Sequence, residues 1–590
     1  MRECLLVRHF LWRFLEHDLV SPNADRHVVL SAIVGALVAV SLFVDSLIAI
    51  PYVFSNDMPP GLVSLRSLDD RFLFTSASML VMALVAVAQW DALALDARDT
   101  AALGVLPIPR AAIVRSKFMA VAVLAIGAAV ALNLVPTLLR SVAVPAGLHL
   151  SLRGAIALTV AHGATTLAAG AFGFLAVLGV REVMSALMGQ NCFQRISSSI
   201  QCALVVVLVT ALLLLPGANG NVARNWLARG GLVSKALPPL WFVGLHELLA
   251  GSVIDTLPRT HPPSYVILAE HNATSLYRSL WPLYDELAWI AIVALVIVAI
   301  VTTTACVWNS RRLPASIVRR ADRGRTASRA LTWLAGQGVG SRCLRQAGFI
   351  FTLQTLARQI THRVALAASF AVGLSLFLVT AGGQVLAPVH DASTAASVPL
   401  AVLAGQTLLL ASMVCGFRYA TRIPAELRAS TTFRLAWAGD SRDYVSGVKL
   451  AGWIALVLPT LGGLFAYHVV IFGARLAALH LGVGVVVSSL LMETVFMRYR
   501  LLPLASGYVR SAEPGTGGIV GAATLLLMSF ALAWVERLAV TTMGGYLMLV
   551  AVLIAVTIGA RAVDRASRRA PVLDLDEPTP LPTQRLELMG

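Results

Sequence analysis

Two short islands of charge interrupt a chain that is otherwise apolar. The first, WDALALDARDTAALGVLPIPRAAIVRSKFMA from Trp90, sets Asp96, Arg98, Asp99 and Arg110 around a turn at Pro107. The second, RYATRIPAELRASTTFRLAWAGDSRDYVSGVKLA from Arg418, carries Arg428, Arg434, Arg442 and Asp443. Two aspartates three apart share a helix face, so Asp96 and Asp99 offer metal ligation or acid–base work. A closed metal site takes about four ligands, and no histidine or glutamate flanks this pair. The spacing is also too common to single out an enzyme. The alternatives are solvated helix ends flanking a turn, or a handle for a cytoplasmic partner. Recurrence of the island favours the handle.

The next candidates are polar groups inside apolar runs, where burial is expensive and therefore purposeful. His162, His480 and Glu493 lead, with Asn133, Gln201 and Gln406 beside them. Glu493 lies close to Arg498 and Arg500, which predicts a local ion pair. The histidines read either as hydrogen-bonding packers between helices or as proton carriers. No span holds the clustered carboxylates of an ion-driven carrier. Nucleotide chemistry has no seat in this chain: it lacks the GxxxxGK[ST] loop that cradles phosphates, a GxGxxG after a strand, and a GxSxG nucleophile elbow. His246-Glu247 begins HELLA, which lacks the second histidine of a zinc helix.

These groups must be positioned by membrane-spanning helices. Of the 590 residues 58% are hydrophobic and only 13% charged, against about 25% charged in soluble domains. The net charge of +16 belongs to cytoplasmic loops and anionic headgroups rather than to nucleic acid. The six cysteines show no CxxC pair or metal spacing. A span needs about 20 apolar residues, and twelve segments qualify: 28–50, 72–90, 118–139, 154–180, 199–217, 286–309, 364–386, 397–417, 448–470, 474–496, 516–535 and 543–563. Arg and Lys concentrate in loops that are cytoplasmic when both termini are inside. The predicted fold is all-α and polytopic, with about twelve transmembrane helices in two six-helix halves of parallel orientation.

The two halves repeat one another. RHVVLSAIVGALVAVSLFV from Arg26 is echoed by HRVALAASFAVGLSLFLV from His362. Each is preceded by an amphipathic basic helix, predicted over 3–18 and within FTLQTLARQITHR from Phe351. In the first, Leu5, Phe10, Leu11, Phe14 and Leu15 form the apolar stripe. Each island follows the second span of its half and ends in a single lysine, Lys117 or Lys449. His162 precedes Arg181 much as His480 precedes Arg498. The domains read as 1–309, a first permease half with an external segment over 217–285; 310–350, a basic cytoplasmic linker; 351–565, the second half; and 566–590, an acidic, proline-rich tail that predicts disorder. The external segment, with PPLWFVGLHELLAG from Pro238, has no counterpart in the second half. It reads as interfacial helices or as a lid over an exit path.

Taken together, Asp96, Asp99, Leu103, Leu106-Pro107-Ile108, Arg115 and Lys117 form D-x-x-D-x-x-x-L-x-x-L-P-[IV] followed by basic residues. This pattern resembles permeases of the type-2 class of ATP-binding-cassette exporters. IPAELRASTTFRL from Ile423 resembles a segment of large bacterial permeases of that group, and PPLWFVGLHELLAG resembles their external segment. The resemblance covers about 560 residues and implies an amphipathic connecting helix, six spans and a coupling helix after span two, here twice. It further implies a bacterial inner-membrane location and an export substrate, and cytoplasmic ATPase subunits, two of them, docking on 91–117 and 418–449. Those subunits would bind the ATP, so this chain would be no enzyme, hold no cofactor or metal of its own, and contact lipid but not nucleic acid. The missing external segment in the second half departs from the family plan.

Two other classes stay open. An ion-coupled secondary carrier would share a 6+6 repeat. A membrane-embedded lipid-processing enzyme would use the external segment, with His246, Glu247, Asp255 and His261 available.

Overall fold

A backbone sheathed in apolar side chains and lipid meets its hydrogen bonds within itself, which selects helices. The computed structural model describes residues 2–15, 26–54, 60–90, 108–148, 152–215, 222–229, 231–254, 275, 279–312, 343–385, 399–423, 441–497, 504 and 516–567. Among them there is no strand, and ten helices are long and apolar enough to cross a membrane. The chain divides into two compact units, Met1–Arg319 and Arg320–Gly590. The division falls inside the basic segment 310–350.

The first unit contains α1 (Arg2–Leu15), α2 (Arg26–Phe54), α3 (Pro60–Ala88), α4 (Arg110–Leu148), α5 (Leu152–Leu214), α6 (Val222–Arg229), α7 (Gly231–Lys235), α8 (Pro238–Ile254) and α9 (Trp281–Arg312). Helix α5 is interrupted at Gly189, whose φ of 70° only glycine adopts without strain. The break separates candidate spans Leu152–Gly189 and Arg195–Leu214. Helices α3 and α5 meet along small residues. A side chain at Gly170 would lie 2.8 Å from Ser78 Oγ, so backbones approach as they do in close membrane helix pairs.

The second unit contains α10 (Cys343–Arg358), α11 (Ile360–Val385), α12 (Leu400–Arg422), α13 (Ser441–Gly452), a π-helical turn at Trp453–Val457, α14 (Leu458–Val495), α15 (Thr516–Ala539) and α16 (Met543–Ser567). Helix α10 starts eight residues before the second half drawn from sequence. Helix α14 turns at Phe472–Gly473, where Gly473 has φ 82°. Its core joins Val414, Phe417, Tyr444, Val448, Leu461 and Phe496 from α12, α13 and α14.

Candidate functional site

The site candidates fall into two kinds: helix ends beside the islands, and polar groups inside the helices. Asp96, Arg98, Asp99, Pro107, Arg428 and Arg434 lie outside the described residues, as do Arg498 and Arg500 and the stretch 255–274 of the external segment. Arg110 opens α4 directly after the first island. Arg442 and Asp443 occupy the first turn of α13 directly after the second.

Both island-following helices receive the preceding amphipathic helix. In the first unit Leu6 and Phe10 of α1 are buried against Ile113 and Ala120 of α4. The stripe read from sequence is therefore rotated: Leu5 is 60% exposed. Lys117 is buried with its ammonium 5.5 Å from the Phe10 ring centre, an arrangement in which the ring face attracts the cation. In the second unit α10 lies on α13 backbone to backbone. A side chain at Gly447 would overlap Arg345 O and sit 2.9 Å from Phe349 N, and one at Gly348 would overlap Tyr444 O.

Lys449 takes a different partner from Lys117. Its Nζ donates to Glu493 Oε2 at 2.6 Å, and Arg561 Nε of α16 donates to Glu493 Oε1 at 2.9 Å. One carboxylate thus ties α13, α14 and α16 together, and both its described partners lie far from it in sequence. Beside it opens a cavity of about 740 Å³ lined by Arg345, Arg442, Lys449, Arg561 and Arg565, and by Asp443, Glu493 and Asp564. That volume is ample for a side-chain cluster or small ligand, and its lining is net basic.

Inside the helices, the polar residues picked from sequence mostly bind helix to helix. Asn133 Nδ2 donates to Ser78 Oγ at 3.0 Å, joining α4 to α3. Gln201 Nε2 donates to Val87 O at 3.1 Å, and Gln406 Nε2 to His480 O at 3.0 Å. His162 packs edge-on to Phe74 and stands 6.2 Å from the His246 ring. Next to His246, Glu247 of α8 pairs with Arg71 of α3, both buried. The helix carrying HELLA is therefore wedged into the first unit with its charge neutralised, and Leu240, Phe242 and Val243 are fully buried beside it.

His480 meets a partner that sequence reading passed over. Its Nδ1 lies 2.6 Å from Glu536 Oε1 of α15, with both side chains 3% exposed. His468 stands edge-on to it, with ring centres 4.8 Å apart. Arg71 and Glu536 were detectable only as single charges at the margins of apolar runs. Among the described residues no group of three or more His, Cys, Asp or Glu is placed to hold a metal ion.

No protein-family model matches the chain, and no curated protein or solved structure matches it.

Proposed function

We propose that this chain is the membrane permease of an ATP-binding-cassette exporter, with two six-span halves fused in one polypeptide and parallel to each other. The observation that carries the reading is the repeated junction: α1 on α4 and α10 on α13, each where a charged island ends. A short helix packed on the root of a span moves with it, so a push on the island reaches the membrane as a rigid displacement. The basic cavity behind Arg442 and Asp443 extends that contact face in the second unit.

Twelve passes fit these helices. Arg442–Val495 is 54 residues, about 80 Å of helix against a hydrocarbon core of about 30 Å. Its turn at Gly473 makes two passes of it. Helix α2, 29 residues, supplies the remaining one. ATP is bound by separate cytoplasmic subunits, two per chain, one at each of 91–117 and 418–449. The chain itself hydrolyses no ATP; it forms the pathway in a bacterial inner membrane with both termini inside.

The test is co-purification with an ATPase encoded beside this chain, repeated after Asp96, Arg98 and Asp99, or Arg442 and Asp443, are changed to alanine. Each set should weaken association. Full association by both sets, or transport that persists without ATP and collapses with the proton gradient, sinks the reading in favour of an ion-coupled carrier.

A further inference from the structure

Each unit buries one carboxylate near the histidine of its fourth predicted span, yet the two are neutralised in different ways. Glu247 meets Arg71, a guanidinium that stays charged at any physiological pH. Glu536 meets His480, and an imidazole, unlike a guanidinium, can itself bind or release a proton. The first pair is charge-balanced without a bound proton, with His246 Nδ1 standing 3.8 Å from the same carboxylate. The second is neutral only while it holds one: with none it is an uncompensated anion, with two a cation. Burial makes both charged states expensive, so the proton content of this pair is tied to how far water reaches it.

The surroundings supply a path. His480 Nε2, His468 Nε2 and Gln406 Oε1 are buried without hydrogen-bond partners, an arrangement that is costly unless water or a proton can reach it. A cavity of about 20 Å³ abuts His480, Glu536 and Arg537 at the end of α15. That is room for a single water, which needs about 10–15 Å³. The groups around the pair are few. Tyr467 and His468 stand on α14, Arg537 on α15, Tyr546 of α16 lies within reach of the Glu536 charge, and α12 presents only neutral Gln406. The cation nearest by sequence, Arg537, lines the mouth.

We propose that His480 and Glu536 form a proton-exchange site, with the small cavity as its mouth. The step is two transfers: the Glu536 O–H bond breaks as a His480 Nδ1–H bond forms across the 2.6 Å contact, and the His480 Nε2–H bond then breaks as water at the mouth takes that proton, leaving a neutral imidazole against the Glu536 carboxylate. The site belongs to the second unit alone and stands independently of what drives transport.

N,N′-dicyclohexylcarbodiimide adds to protonated carboxyls in apolar surroundings and reports the site directly. Full-length protein in lipid nanodiscs would be labelled from about pH 5 to about pH 8, the range of an ordinary histidine, and read by peptide mass spectrometry. Labelling at Glu536 should fall about tenfold or more over that range, a factor of ten marking one unit of protonation. Glu247, held by Arg71, should stay unlabelled throughout and serves as the internal control. H480Q removes the imidazole and should leave Glu536 labelled at the upper end of the range, while E536Q abolishes the adduct. An unlabelled Glu536, labelling that ignores pH, or equal labelling of Glu247 overturns the proposal. The wild-type profile and the Glu247 control need no variant, so a misfolded H480Q leaves the test intact.

Discussion

Changing Gly447 to alanine asks whether the α10–α13 junction is a rigid contact. The new methyl would overlap Arg345 O and lie 2.9 Å from Phe349 N, where ordinary contact begins at 3.4 Å. Both obstacles are backbone, so no rotamer relieves the overlap, and clearing the Arg345 carbonyl parts the helices by about 1 Å or more. A gap of about 0.5–1 Å forfeits a quarter to a half of the dispersion attraction across it. Overpacking of this kind costs about 1–3 kcal/mol, and the absence of a flexible neighbour puts Gly447→Ala toward the upper end. The control is Gly462→Ala in α14, which meets nothing within 4 Å and should gain up to about 1 kcal/mol from helix propensity. Thermal unfolding of purified protein in detergent would separate them, at about 2–4 °C per kcal/mol for a unit of this size. Gly447→Ala should melt several degrees below wild type and Gly462→Ala at or above it. Equal midpoints for the two variants would refute the close junction, and with it the mechanical link from island to span.

Other outcomes follow from the buried charges and the topology. Arg71→Ala removes the guanidinium from buried Glu247 and should cost about 3–5 kcal/mol, whereas a double replacement by methionine should recover most of it; denaturation of the two variants would show no difference if the pair were not buried. Glu493→Gln should cost about 2 kcal/mol, since it weakens two charged hydrogen bonds, but Arg561→Gln less than about 0.5 kcal/mol because that side chain is 50% exposed. Equal losses would mean that the Lys449 bond carries little. Exposed Cys4, Cys192 and Cys343 should react with a membrane-impermeant maleimide only in inside-out vesicles. Labelling of any of them in intact cells would reverse the proposed topology.

The helices were legible in the sequence because lipid-facing composition is a strong signal over some twenty residues. Their interruptions were legible only in part. The break at Gly189 falls between the spans 154–180 and 199–217 read from sequence, where Arg181, Gln190, Asn191 and Arg195 interrupt the apolar run, and the absence of a loop between 470 and 474 was visible too; that glycines at positive φ make both turns was not. Local amphipathicity predicted α1 but gave its buried face to Leu5 rather than Leu6, since Leu5, Leu6 and Val7 are all apolar and only tertiary contact chooses among them. Glu493 was recognised as an ion-pair residue, whereas its partners Lys449 and Arg561 depend on three helices converging. Partners 56 residues apart, such as His480 and Glu536, leave no local trace at all. Glu247 likewise shows no cation in its own segment, because Arg71 is brought to it from 176 residues away.

Helix α8 has a mechanical meaning beyond its place in the packing. It enters the first unit as a wedge held at one point by Glu247 against Arg71 and along its length by Leu240, Phe242, Val243 and Ala250, all fully buried. Withdrawing it would strand an ion pair and open a void at once, so it behaves as a keystone.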